Sequence, residues 1–171
     1  MSYMFKKIRA LPKSLRSLRL NNMTLKQKTH SQYIQILQDK IDVFQDMISG
    51  LTEDSLNDAK GSAGDKHETA LSMMHIEQEK LTNKLKEAME YKSILEKIDT
   101  SSIHKKAVLG SLVKTNNLIV FISAALPKIT IEDQNVFGIS PQSPLGLLLL
   151  GNETGHTFQL NNVQYKILSI E

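Results

Sequence analysis

Between about Lys26 and Ser55, apolar side chains fall at Ile34, Leu37, Ile41, Phe44, Ile48 and Leu51, separated alternately by three and four residues. That alternation is the seam of a coiled coil, one stripe of a helix turned toward another helix. A second series keeps the same spacing through Leu71, Met74, Gln78, Leu81, Leu85, Ala88, Lys92 and Leu95. Gln78 and Lys92 interrupt it, and Met73, Ile76, Met89 and Ile98 lie beside it. No proline breaks either run, so each predicts a helix of about 30 residues and roughly 45 Å. The stretch "AKGSAG" between them supplies a reversal, and two seams of equal length predict an antiparallel hairpin within one chain. The competing reading is a coiled-coil dimerisation element.

After "DTSSIHKK" (99–106) the pattern changes to short runs rich in β-branched and aromatic residues: "VLGSLVKT", "NLIVFISAA", "KITIED", "NVFGIS", "TFQL" and "VQYKILSI". Asn116-Asn117 and Asn161-Asn162 stand where tight hairpin turns are expected. "QSPLGLLLLGN" reads instead as one short helix, with Ser143 as its cap, Pro144 in its first position and Gly151 after its end. The predicted fold class is therefore α+β: a helical hairpin over 26–100 with its tip at about 56–68, then an antiparallel sheet unit with one helix over 107–171.

Composition narrows the chemistry. The chain has no cysteine, which excludes disulfides, thiolate metal sites and cysteine nucleophiles and favours a reducing cytoplasm. The longest apolar run, "PLGLLLLG", falls far short of a membrane span. Charge is unevenly spread. Lys6, Lys7, Arg9, Lys13, Arg16 and Arg19 stand in residues 1–25 without a single acid. With the whole chain at +3, residues 26–171 come to −3. A mildly acidic body argues against broad nucleic-acid binding. The basic stretch 1–25 fits an RNA- or membrane-binding arm, an organelle-type leader, a disordered tail, or an extension upstream of a start at Met23. A disordered tail is the expectation.

Catalytic machinery is sparse: there is no phosphate-binding glycine loop, nucleophile elbow or metalloprotease helix. The histidines, His30, His67, His75, His104 and His156, show no ligand spacing. Aromatic residues make up 5% of the chain and do not alternate with basic ones, so a base-stacking platform is not expected. What remains is "GSAGDKHET" (61–69), with Asp65 and Glu68. Spaced as in a capping box, the two acids suit the positive end of a helix. The same spacing lets both carboxylates reach one hard cation, though two carboxylates do not complete an octahedral magnesium shell without a partner. Both readings stay open on spacing.

The stretches "GDKHETA" (64–70) and "ISPQSPLGLLLLGNETGHTFQL" (139–160) resemble, in that order, the tip motif and the C-terminal signature of the bacterial Gre transcript-cleavage factors. The resemblance covers about residues 30–171. It implies an FKBP-like fold for the second unit, docked on the rim of the RNA polymerase secondary channel, with the hairpin inside that channel. It further implies that Asp65 and Glu68 help hold a magnesium ion shared with the polymerase, which then cuts backtracked RNA near the nascent 3′ end. Gln142, Ser143, Pro144, Leu145 and Gly146 match the loop associated with polymerase docking. On this reading the protein is a cytoplasmic, monomeric transcription elongation factor, with no cofactor of its own and no enzymatic activity apart from the polymerase's. The chain departs from the family in having His156 where an acid often follows the late glycine, and in the extra acids Glu53, Asp54 and Asp58. The alternative within the same architecture is a channel-occupying regulator that does not stimulate cleavage. A peptidyl-prolyl isomerase and a structural coiled-coil dimer are the readings outside it.

Overall fold

A computed structural model of the chain describes residues 23–58 and 65–171, with the backbone path alone at 55–58, 65–68 and 70. The basic stretch up to Asn22 and the turn 59–64 lie outside the described residues. The chain divides into two units. One is Tyr33–Ile98; the other joins Asp99–Glu171 with residues 23–32.

The first unit holds α1 (Leu25–Asp58) from Tyr33 onward, paired with α2 (Asp65–Glu96); the opening turns of α1 belong to the second unit. At 34 and 32 residues they run about 51 and 48 Å. The two helices pack as a pair, with Thr52 near the end of α1 bonded to Gln78 in the first half of α2. The 3–4 spacing is honoured in burial. Ile34, Leu37 and Ile41 on α1 and Leu81, Ala88 and Leu95 on α2 are buried, and the remaining seam positions are half-buried. Burial tapers along α1, from Ile41 (6% exposed) to the half-covered Phe44, Ile48 and Leu51. Two helices alone cannot enclose a stripe on all sides.

The two polar interruptions of the seam are each satisfied. The Gln78 amide donates to Thr52 Oγ1 at 3.0 Å, and that hydroxyl donates to Ile48 O at 2.8 Å. This bond ties a turn of α2 to one of α1 and marks their register. Lys92 reaches back to the surface and pairs with Glu96 at 3.1 Å, one turn on.

α1 starts with a reciprocal cap. Gln27 N donates to Thr24 Oγ1 (3.2 Å) while Thr24 N donates to Gln27 Oε1 (3.1 Å), so two N–H groups of the helix start are satisfied at once.

The second unit is a six-stranded sheet of β1 (Leu112–Thr115), β2 (Ile119–Ile122), β3 (Leu126–Ile131), β4 (Gln134–Ile139), β5 (Thr157–Leu160) and β6 (Val163–Ile170), in the order β3-β4-β2-β1-β6-β5. The expectation of an antiparallel sheet needs correction, because β2 and β4 pair parallel, Ile119 opposite Val136 through Ile122 opposite Ile139. The cause lies in residues 123–133. A parallel pair requires a crossover, and here β3 is the crossover. The two-residue turn Glu132-Asp133, both at positive φ (49° and 61°), folds β4 back between β3 and β2. Asn161 and Asn162 form the corresponding turn between β5 and β6, at φ 50° and 62°, where the sequence put one.

The short helix α3 (Pro144–Leu149) covers one sheet face. Leu149 is buried there with Ala107, Val113, Val120, Ile122, Phe158 and Ile167. Phe158 stacks on its cross-strand partner Tyr165 at 5.3 Å between ring centroids. In the same unit, His30 in the first turns of α1 meets Phe121 edge-on at 6.4 Å. A mixed α+β architecture, helical pair followed by sheet with one helix, is thus what the chain adopts.

Candidate functional site

Each of the two stretches singled out in the sequence has its own geometry. Asp65 opens α2 and Glu68 lies in the same first turn. Their side chains, and with them both the capping and the magnesium readings, lie outside the described residues. The backbone places them at the start of α2, at the opposite end of that helix from Glu96. Among the described residues no three His, Asp or Glu side chains come together as a metal site would need.

The second stretch, 140–151, is built by local hydrogen bonds. Ser143, extended at φ −66° and ψ 155°, caps α3. Its hydroxyl accepts from Gly146 N at 3.0 Å and donates to Ser140 O at 2.7 Å. Ser143 N also donates to Ser140 O, at 3.0 Å. Pro144 follows in the first helical turn, where a missing N–H costs nothing. Ser140 Oγ donates to Gln142 Oε1 (2.5 Å) and accepts from Gln142 N (3.2 Å), which folds the loop back on itself.

Gly146 is dictated by contact. A Cβ there would stand 2.3 Å from Ser140 O and 2.9 Å from Pro141 O, so the backbone of the loop occupies the space a side chain would need. Past the helix, Gly151 takes φ 77° and donates to Ala107 O at 2.8 Å, and Ala107 N donates to Asn152 O at 2.9 Å. Those bonds fix the end of α3 to the segment before β1.

The five residues picked out in this loop therefore divide. Ser143 and Gly146 hold its shape, and Leu145 packs against the core. Gln142 and Pro144 are exposed. Leu147, which the sequence reading did not single out, is 64% exposed on the same helix. A leucine in so apolar a run gives no advance sign of facing solvent. His156 does face solvent, stacked on Phe158 at 6.3 Å.

Sequence reasoning also missed a polar knot where α1 begins. Lys26 is 3% exposed, and its Nζ donates to Ser102 O at 2.7 Å. Burial pulls its ammonium below the usual lysine range, partly countered by the charges of Asp99 and Glu171. Asp99 itself accepts from Ser101 Oγ (2.6 Å), Ser101 N (2.9 Å) and Ser102 Oγ. The Ser101 and Ser102 hydrogen bonds, with a smaller contribution from Lys26, lower its carboxyl to about 2. Two residues along, Lys28 forms an ion pair with Glu132 in the β3–β4 turn. Lys26 and the buried Thr29 continue inward-facing positions of α1 with polar residues, so the hydrophobic spacing carries no trace of them.

No helix among the described residues is long and apolar enough to cross a membrane. No protein-family model matches the sequence, and no curated protein matches it.

Proposed function

We propose that the protein is a Gre-like factor of RNA polymerase, which inserts its helical pair into the polymerase's secondary channel and lends Asp65 and Glu68 to cleavage of backtracked RNA. The observation that carries this reading is order along one chain. A slender antiparallel pair about 50 Å long has two acids where its second helix begins, and a sheet unit with the Ser143-Pro144-Leu145-Gly146 helix start follows. In this reading the sheet unit is the Gre-type, FKBP-like docking domain, with Gln142 and Pro144, both exposed, on its contact surface.

The chemistry is consistent with a borrowed active site. Two metal ions about 4 Å apart stabilise the attacking and leaving oxygens in phosphodiester cleavage. Magnesium keeps several waters and takes only one or two protein carboxylates beside phosphate oxygens. A pair of acids at the end of an arm therefore suits an ion already held in part by the polymerase. The protein alone has no nuclease activity on this account, and it acts in the cytoplasm as a monomer.

The test is RNA cleavage by a purified, stalled and backtracked polymerase from the same organism, with and without the protein. Faster release of short 3′ fragments, lost in the Asp65→Ala/Glu68→Ala variant, is the expected result. Binding to polymerase without any stimulation would overturn the catalytic role and leave the channel-occupying regulator.

A further inference from the structure

We draw no further inference here: the strongest candidate, the shallow apolar groove along one face of α2 lined by Thr82, Leu85, Lys86, Met89, Glu90 and Ser93, is an unpartnered helix face, and nothing in the structure shows what covers it.

Discussion

Replacing Gly146 by alanine and replacing Gly50 by alanine are the same chemical change in two helices, and the structure gives them opposite signs. In a helix interior the change ordinarily stabilises by roughly 0.5–1 kcal/mol, because glycine has more backbone freedom to lose on folding. Gly50 meets that condition: nothing lies within 4 Å of where its Cβ would be. Gly146 does not. Its Cβ would be 2.3 Å from Ser140 O, where ordinary contact begins near 3.4 Å, so the loop must retreat by about 1 Å. Ser140 O already accepts from both Ser143 N and Ser143 Oγ, so the retreat disturbs the cap as well. Overpacking costs about 1–3 kcal/mol and a weakened serine cap up to about 1, against the alanine's gain of under about 1. The net expectation is a loss of about 1–3 kcal/mol for Gly146→Ala and a gain of about 0.5–1 kcal/mol for Gly50→Ala. The chain has no tryptophan, so urea unfolding is best followed by far-ultraviolet dichroism, with backbone amide signals of β1 and β2 reporting the sheet unit separately. An unchanged slope with shifted midpoints would locate the effect in the folded state. Gly146→Ala as stable as the parent, its Ser143 cap intact, would refute the close-approach argument.

Further outcomes follow from other parts of the molecule. Asp99 is lowered from 3.8 to about 2 on folding, so between those values the unfolded chain binds more protons; stability is full above about pH 4 and falls as the pH drops toward 2. Asp99→Asn should flatten that stretch of the stability–pH profile, and an unaltered profile would show that the Ser101 and Ser102 bonds do not persist in solution. Thr29 buries a hydroxyl with no hydrogen-bond partner among the described residues, so Thr29→Val should raise the urea midpoint, by about 1 kcal/mol in stability; a lower midpoint would count against an unsatisfied hydroxyl. Gln78→Leu removes the amide that ties α2 to Thr52, and a seam apolar from Leu71 to Ala88 should raise thermal stability while promoting self-association at high concentration, as read by sedimentation. A variant that stays monomeric with an unchanged melting temperature would remove Gln78 from the set of register-fixing residues.

The parts of this fold legible in the sequence are those where burial and backbone chemistry point the same way. The seam from Ile34 to Leu51 matches burial position by position. Ser143, Pro144 and Gly151 mark α3 because each is suited to its place. The strand "VQYKILSI" is β6 residue for residue. The parallel join between β2 and β4 was not legible, since alternation tells which face a strand buries but not which strand lies beside it. Its turn was hidden as well. Glu132 occupies a positive φ that glutamate seldom adopts, so "KITIED" reads as a strand running on. Within the candidate site, the loop at 140–146 follows from local hydrogen-bonding rules that residue types announce. The outward face of Leu147 and the buried ammonium of Lys26 depend on tertiary placement, which no local pattern encodes.

The taper of burial along the helical pair has a mechanical consequence. A turn whose seam residue is fully covered opens only at a high free energy, whereas a half-covered turn is held chiefly by its own backbone hydrogen bonds. Opening therefore starts around Ile48 and Leu51 and meets rising resistance toward Leu37, where the seam is 2% exposed. Within the pair, the turns around Leu37 are stiff and those toward Leu51 are compliant. Such a rod can bend over its compliant span while its stiff turns stay straight.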